Sequence, residues 1–213
     1  MAHYAYEKGA DYVILAPPFY FLMNQIELIA YIEMMAGKVP LPLILYNAPQ
    51  YTKTGFEPES VEKLSKHGNI LGIKDSSGNM MFIHELLGFR NNKNFSILIG
   101  PEMYLGEGVL NGCNGGINGG ANLFPELFVK MYKAALNREM EKMLQLQEWI
   151  RKIHKNIYQV IDSPARFIIG IKYALSLKGI CSAQMAMPVY AELQSEKKKV
   201  IEDFVNEYER YNI

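Results

Sequence analysis

The sequence predicts an α/β protein built on a parallel sheet of about five βα units, followed by closing helices. With 213 residues and 49% hydrophobic content, the chain is long enough to bury a substantial core. Up to residue 137, short apolar runs alternate with segments of helical periodicity. Such alternation is typical of a parallel sheet whose strands are joined by crossover helices.

The strands and helices of this sheet follow one another in a regular order. The predicted strands are residues 12–16, 42–46, 70–74, 96–100 and a weaker fifth at 115–118. The predicted helices are residues 24–37, 58–67, 80–90, 102–110 and one that begins at Phe124. The helix over 58–67 has a clear start signal, because Pro58 and the acidic Glu57 and Glu59 surround its first turn.

The last third of the chain has no strand pattern. Helices are predicted over 139–158, 165–178 and 195–208, with Pro164 and Pro188 at the breaks between them. No Ser/Gly-rich linker precedes these helices. We therefore interpret the chain as a partial (βα) barrel over 1–137 with a C-terminal helical extension over 138–213 that is not an independent domain.

The sheet is short of the strands that a closed barrel needs. An eight-stranded barrel has eight βα units and typically ~250 residues, whereas about five units are visible here. The first residues look like the end of a helix, with Gly9 as its C-cap glycine. We expect the beginning of the fold to be absent. Because unpaired sheet edges favour association, we expect either that another copy of the chain covers them or that the sequence is a remnant of a longer chain.

The most informative segment is the apolar run over 70–74, which ends in Lys74. A buried parallel strand delivers its last side chain to the carboxyl edge of the sheet, where α/β enzymes hold their active sites. A partly desolvated amine at that edge loses its proton readily and attacks a carbonyl to form a Schiff base. Taken alone, the segment favours the commoner case of a strand-end lysine that extends into water.

Two tyrosines strengthen the catalytic interpretation of Lys74. Tyr46 ends the strand at 42–46, and Tyr20 follows the strand at 12–16. A tyrosine hydroxyl at the mouth of a barrel relays protons to and from a carbonyl or imine, although a rim tyrosine that keeps its hydroxyl in water is common. Three successive strands with such residues at their carboxyl ends are hard to explain by packing alone.

A cluster of glycines surrounds the predicted fifth strand. Its members are Gly112, Gly115, Gly116, Gly119 and Gly120. Glycines let a ligand approach the backbone closely, and exposed amides bind carboxylates or phosphates. A tightly packed barrel interior needs small residues just as much, and the cluster fits both interpretations. The fingerprints of a P-loop and of a dinucleotide site are both missing from the sequence.

Charge and composition exclude several classes of function. The 22 basic and 22 acidic residues cancel, so no electrostatic field attracts nucleic acid or an acidic membrane. Two cysteines and no signal peptide indicate a reduced, cytoplasmic setting. No apolar run approaches the ~20 residues of a membrane span. The four histidines lack the spacing of a zinc site, so we expect no metal.

Together these segments resemble the dihydrodipicolinate synthase and N-acetylneuraminate lyase superfamily of pyruvate-dependent class I aldolases, over essentially the whole chain. Pro17-Pro18-Phe19-Tyr20 is similar to the family's Thr-Pro-Tyr-Tyr stretch. Tyr46-Asn47-Ala48-Pro49, followed by Thr54-Gly55, is similar to its tyrosine motif. Gly72-Ile73-Lys74-Asp75-Ser76-Ser77-Gly78 is similar to its lysine motif. The resemblance implies a TIM (βα)8-barrel fold, here incomplete.

The resemblance also implies a lyase that needs no cofactor, because the covalent imine forms on Lys74. Tyr46 would be the acid and base of the reaction, and Tyr20 would be lent by a neighbouring subunit across a dimer interface. The residues implied to bind the substrate are Ile117, Gly116, Lys53 and Thr54. The implied partners are pyruvate or a related 2-oxo acid and further copies of the chain, in a dimer or tetramer.

Two features of the family are missing from this sequence. The Gly-Thr-Thr-Gly-Glu segment, whose threonines bind the pyruvate carboxylate, would lie upstream of Met1. The arginine that grips the aldehyde is absent, and Lys53 is the nearest cation. The second substrate therefore stays open between aspartate semialdehyde, sialic acid chemistry and a sugar-derived 2-oxo acid.

Two other hypotheses for the function stay open beside the lyase. One is a catalytically inactive relative that binds a ligand or oligomerises. The other is a different (βα) enzyme that binds a phosphate at the glycine-rich strand.

Overall fold

The computed structural model describes residues 1–88, 94–189 and 192–211. Its strands are β1 (Val13–Leu15), β2 (Leu43–Asn47), β3 (Ile70–Asp75), β4 (Ser96–Ile99) and β5 (Gly115–Gly116). Its α-helices are α1 (Ala2–Glu7), α2 (Gln25–Lys38), α3 (Pro49–Thr52), α4 (Pro58–Leu64), α5 (Met80–Gly88), α6 (Leu105–Leu110), α7 (Pro125–Leu136), α8 (Met140–Ile153), α9 (Arg166–Leu177) and α10 (Ser195–Tyr211). Short 3-10 turns lie at Glu102–Tyr104 and Gly119–Asn122, and a π-helical turn at His154–Tyr158.

The predicted order of strands and helices is confirmed. The helix predicted over 80–90 reaches Gly88, and residues 89–93 lie outside the described part. The long helix predicted over 139–158 is α8 followed directly by the π-helical turn. Gly9 has a φ of 82°, and its N–H donates to the carbonyl of Tyr6 at 3.0 Å. The first residues therefore do end a helix, as predicted.

All five strands form one parallel sheet in the order β1-β2-β3-β4-β5. The register between β2 and β3 shifts by one residue, which leaves Leu71 as an extra residue in β3. This bulge resets the alternation of side chains, and Tyr46 lies opposite Lys74 as a result. Gly72 follows the bulge where β3 and β4 run close, since a Cβ there would come within 2.4 Å of the Ser96 carbonyl oxygen.

The hydrophobic core of the sheet lies on one face, against α2, α4 and α5. Leu43 and Ile73 of the strands pack there with side chains such as Ile32 of α2, and all three are almost fully buried. Successive strand side chains point to opposite faces of a sheet. Tyr46 and Lys74 therefore lie on the face away from this core, where both are half-buried.

Local sequence signals fix the helices that follow β1 and β2. The Asn24 side chain accepts a hydrogen bond from the Glu27 N–H, and the Glu27 carboxylate accepts one from the Asn24 N–H, both at 2.9 Å. This capping box starts α2. Pro58 occupies the first turn of α4, with Glu59 beside it, as the sequence predicted.

The chain forms two compact units, Met1–Ile117 and Asn118–Ile213, which we call the sheet unit and the helical unit. From the sequence we placed the division after residue 137, where the strand pattern stops. The structure divides the chain earlier because α7 packs against α8, its neighbour in the helical unit.

The helical unit is held by aromatic packing. Phe124 stacks on Tyr208 with ring centroids 3.7 Å apart, and Trp149 meets Tyr208 edge-on at 5.5 Å. Lys152 of α8 and Glu207 of α10 add an ion pair at 2.6 Å. Across residues 1–88, 94–189 and 192–211, every helix is too short or too polar to cross a lipid bilayer.

Candidate active site

Lys74 and Tyr46 are brought together by the sheet. They are register partners on β3 and β2, and the Nζ atom of Lys74 lies 4.5 Å from the centroid of the Tyr46 ring. A cation over an aromatic face gains ~0.5–1 kcal/mol at an exposed site and more where water is excluded. Because both side chains are half-buried, the amine is held in place and still reachable by a small molecule.

The carboxyl ends of β2, β3 and β4 are tied together by short hydrogen bonds. The Ser76 N–H donates to the Asn47 carbonyl at 2.7 Å, and the Gly100 N–H donates to the Asp75 carbonyl at 2.6 Å. The Asn47 side-chain amide also donates to Asp75 Oδ1 at 2.7 Å. The strand ends that carry the lysine and the tyrosine are therefore fixed relative to each other.

Asp75 directly follows Lys74 in the chain but lies on the covered face of the sheet, where it is 2% exposed. Its Oδ2 accepts a hydrogen bond from the Ser77 hydroxyl at 3.0 Å. Burial raises the pKa of the Asp75 carboxyl above its ordinary value of 3.8, and the hydrogen bonds from Asn47 and Ser77 oppose that rise. A carboxyl in these surroundings is costly to keep ionised.

The loop after β2 contains Lys53 and Thr54, two of the predicted substrate-binding residues. Lys53 follows α3 in the left-handed region, with a φ of 61°, and its side chain is exposed. Thr54 is 3% exposed, and its hydroxyl accepts a hydrogen bond from the Met23 N–H at 3.3 Å. Lys53 is thus accessible to a ligand, whereas Thr54 joins this loop to the one that precedes α2.

Tyr20 lies in the loop between β1 and α2, and its side chain is 76% exposed. Its ring meets Phe21 edge-on with centroids 4.9 Å apart. Among the described residues, it makes no such contact with Tyr46 or Lys74. The apolar side chains over 19–22 are all exposed, and an exposed apolar patch is typical of a surface that contacts another protein.

Gly116 and Ile117 lie at the carboxyl end of β5, two strands from Lys74. Gly116 pairs with Ile99, and the Ile117 N–H donates to the Ile99 carbonyl at 3.0 Å. At Gly119 a small residue is needed for packing, because a Cβ there would come within 2.4 Å of Phe167 Cζ. The packing interpretation of the glycine cluster holds at that position, and substrate binding by Gly116 and Ile117 stays a prediction.

The sequence reasoning missed the buried pair of Asn47 and Asp75. Each directly follows a candidate catalytic residue at a strand end, so alternation sends both to the covered face. Buried polar groups need hydrogen-bond partners, and each of these two is a suitable partner for the other. That combination of positions was the signal that could have found the pair.

Gln25, the first residue of α2, was missed as well. Its amide donates to the Gly55 carbonyl at 2.9 Å, and its Oε1 accepts from the Ser60 hydroxyl at 2.7 Å. Gln25 thereby joins α2 to α4 and to the loop that follows β2. A glutamine at a helix start gives no such signal in the sequence, because both partners lie about thirty residues away.

Comparisons with known proteins identify the family of the chain. The model of the dihydrodipicolinate synthetase family matches residues 1–208. The 4-hydroxy-tetrahydrodipicolinate synthase of Methanosphaerula palustris is 30% identical over 211 residues, which cover 96% of this chain and 68% of that enzyme. The enzyme of the same name from Geobacter metallireducens is 30% identical over 205 residues, with 96% and 68% covered.

Solved structures show the same likeness. Dihydrodipicolinate synthase from Bacteroides thetaiotaomicron matches with a TM-score of 0.91 and 40% identity, over 97% of this chain and 69% of that one. A prophage protein of E. coli from the dihydrodipicolinic acid synthase family, in complex with pyruvate, matches with a TM-score of 0.86 and 26% identity, over 98% and 70%. The predicted fold, an incomplete (βα)8 barrel with closing helices, is confirmed. This chain belongs to the dihydrodipicolinate synthetase family.

Proposed function

We propose that this chain is a Schiff-base-forming lyase or aldolase that acts on pyruvate or a related 2-oxo acid. The observation that carries the proposal is the Lys74 amine, 4.5 Å from the centroid of the Tyr46 ring at the carboxyl edge of a parallel sheet. Relatives of this chain are named as synthases, and the E. coli relative was solved with pyruvate. Both facts support the same class of chemistry.

The first chemical step belongs to Lys74. Its neutral amine attacks the C2 carbonyl carbon of the 2-oxo acid and forms a carbinolamine, whose hydroxyl then leaves as water to give the imine. The imine draws electrons from the neighbouring methyl or methylene carbon, which loses a proton and becomes a nucleophilic enamine. Addition of that carbon to an aldehyde makes a carbon–carbon bond, and the reverse sequence breaks one.

Tyr46 is the proposed proton carrier of these steps. Its hydroxyl would give a proton to the carbinolamine oxygen as water leaves, and would take protons back as the imine is hydrolysed. The cross-strand position beside Lys74 keeps the tyrosine within reach of every intermediate on the lysine. Lys53, an exposed cation on the next loop, is suited to attract the carboxylate of the substrate.

We propose that the working form is a homo-oligomer in which a second copy covers the exposed segment 19–22. The exposed fractions of Phe19, Tyr20, Phe21 and Leu22 are 70%, 76%, 78% and 71%. Apolar surface of this kind is stabilised by burial, at about 25 cal/mol per Å². Burial against a second copy would also fit the role that the family resemblance implies for Tyr20.

The second candidate function is a catalytically inactive relative that binds a 2-oxo acid or oligomerises. The observation that favours it is Thr54, whose hydroxyl accepts a hydrogen bond from the backbone instead of facing the open side of the site. A site with fewer groups for the substrate carboxylate could keep the pocket residues without turnover.

Borohydride trapping separates the two functions. With pyruvate present, reduction should leave a stable adduct on Lys74, located by peptide mass spectrometry, and no adduct should form without pyruvate. Lys63→Arg is the matched control, because Lys63 is exposed on α4 and should not change the adduct. A protein that binds pyruvate but yields no adduct on Lys74 would be the inactive relative.

Sedimentation velocity at low protein concentration tests the oligomer. We expect a dimer or larger species for the parent chain and a shift toward monomer for Phe21→Ser, which removes an exposed ring of the segment. Met81→Ser removes a similarly exposed side chain from α5 and should leave the sedimentation profile unchanged. A monomeric, cooperatively folded parent chain would contradict the proposal.

A further inference from the structure

Two buried polar side chains lie directly behind the candidate catalytic pair. Asn47 and Asp75 are 3% and 2% exposed, and they join the covered face of β2 to that of β3 through a 2.7 Å hydrogen bond. They are register partners, one position after Tyr46 and Lys74. The side-chain bond therefore joins the last paired residues of the two strands, beside the backbone bond from the Ser76 N–H to the Asn47 carbonyl.

Each member of the pair also holds the loop that follows its strand. Asn47 Oδ1 accepts the Phe56 N–H at 3.1 Å, which fixes the far end of the loop containing Lys53. Asp75 Oδ2 accepts the Ser77 hydroxyl, which fixes the turn after the lysine strand. Gly55 sits against the pair, since a Cβ there would come within 3.3 Å of Asn47 Oδ1. The pair thus lies at the centre of the hydrogen bonds at this edge of the sheet.

Stability alone does not explain a carboxyl at this position. The neighbouring strand residues on the covered face, Leu45 and Ile73, are apolar and fully buried. Replacing a buried polar pair by well-packed apolar residues is often neutral or stabilising. Burial also raises the pKa of the Asp75 carboxyl, because the buried carboxylate loses the solvation that water would give it. What the pair provides instead is a directional bond between two strand ends.

We propose that Asn47 and Asp75 are positioning residues that hold the Tyr46 ring and the Lys74 amine in their reactive arrangement. This inference rests on the proposed function of the same site. Neither residue touches the amine or the ring, because both point to the opposite face of the sheet. They act through the strand ends, where a displacement of about 1 Å can lower a rate by about 10²-fold.

The test compares three substitutions at position 75 with a matched control. Asp75→Ala removes the acceptor and should lower the rate of pyruvate-dependent trapping on Lys74 by about 10²-fold. Asp75→Asn keeps an acceptor for the Asn47 amide and should keep a trapping rate close to that of the parent. Should Asp75→Ala fail to fold, Asp75→Leu removes the same acceptor while filling the volume, and the same loss is expected.

Ser60→Ala is the control for general destabilisation. Ser60 is a buried residue of α4 whose hydroxyl donates to Gln25, so the variant loses one partly buried hydrogen bond in the same unit, away from β2 and β3 in the chain. Its trapping rate per folded molecule should match that of the parent. If Asp75→Ala traps pyruvate no more slowly than Ser60→Ala, Asp75 has only a structural role and the inference is overturned.

A second readout does not depend on catalysis. Trace acetylation with acetic anhydride, followed by peptide mass spectrometry, gives the reactivity of Lys74 relative to exposed Lys63 in the same molecule. We expect this ratio to rise in Asp75→Ala and to keep the parent value in Asp75→Asn and Ser60→Ala. An unchanged ratio in Asp75→Ala would overturn the positioning role. If the parent traps no pyruvate but the acetylation ratio still rises in Asp75→Ala, the proposed function is refuted and the positioning role is not.

Discussion

The sheet unit and the helical unit differ in what they bury. Among the described residues, the buried polar side chains of the sheet unit are Asn47, Thr52, Thr54, Ser60, Asp75 and Glu102. In the described part of the helical unit, Asn118 is buried, as are the hydroxyl-bearing side chains of Tyr158 and Tyr208. The core of that unit is instead aromatic, with Phe124 stacked on Tyr208 and Phe204 edge-on to Phe124.

This difference separates two physical tasks. A buried polar group must find a partner, and a hydrogen bond adds only about 0.5–1.5 kcal/mol net, so polar burial fixes geometry more than it adds stability. Aromatic rings bury large apolar areas, and that burial is their main contribution to stability. Substitutions of the buried polar residues beside the site in the sheet unit should therefore change chemistry, and substitutions in the aromatic core of the helical unit should change the free energy of unfolding.

Lys74→Arg should have the greatest effect of any single change in the sheet unit. The guanidinium stays protonated and forms no imine, so activity should fall by several orders of magnitude while the charge is kept. Exchange of the pyruvate methyl protons for deuterium, followed by NMR, measures the half-reaction without a second substrate. Near-normal exchange in this variant would refute the Schiff-base mechanism.

Tyr46→Phe should lower the same exchange rate by about 10²–10⁴-fold, the usual contribution of general acid–base catalysis. The ring stays in place over the lysine, so a slow borohydride adduct should still be detectable. Tyr51→Phe is the matched control, because Tyr51 is 70% exposed on α3. If Tyr46→Phe keeps the full rate, Tyr46 is a rim aromatic without a role in proton transfer.

Phe124→Ala tests the expectation that substitutions in the core of the helical unit change stability and not chemistry. Phe124 is 1% exposed, and its loss should lower the free energy of unfolding by about 3–5 kcal/mol, measured by urea denaturation. Val129→Ala, at an exposed position of α7, should change it by less than about 0.5 kcal/mol. The rate of pyruvate proton exchange per folded molecule should match that of the parent. A loss of exchange as large as that of Tyr46→Phe would contradict the separation between residues for chemistry and residues for stability.

Asp75→Asn should have the smallest effect of these substitutions. The effect should appear as a change in how the free energy of unfolding depends on pH. Because the folded pKa of Asp75 is raised above 3.8, the folded state binds the proton more tightly than the unfolded state does. The parent therefore loses stability as the pH rises from about 3.8 through the raised pKa, and Asp75→Asn does not. Urea denaturation of both proteins measures their free energies of unfolding. The difference between these free energies should grow as the pH rises through that window and then become constant. A difference independent of pH would place the carboxyl in an unperturbed environment.

The sequence predicted those features that depend on short-range patterns. Strand positions and the residues that end them follow from apolar runs and breakers, so Lys74 and Tyr46 could be placed at one edge of the sheet. The bulge at Leu71 depends on how two strands pair, which no local pattern encodes. The Thr54 contact with Met23 joins loops 31 residues apart and was invisible for the same reason.

The order of the strands in the sheet follows the order of the strands in the chain. Val13 pairs with Leu43, Leu45 with Ile73, and Leu98 with Gly115, so each strand finds its partner within about thirty residues. During synthesis, each strand after β1 therefore has its docking edge already available when it emerges from the ribosome. Closing a loop of this length costs less conformational entropy than closing a longer one. Such a chain can build its sheet one βα unit at a time, in the direction of translation.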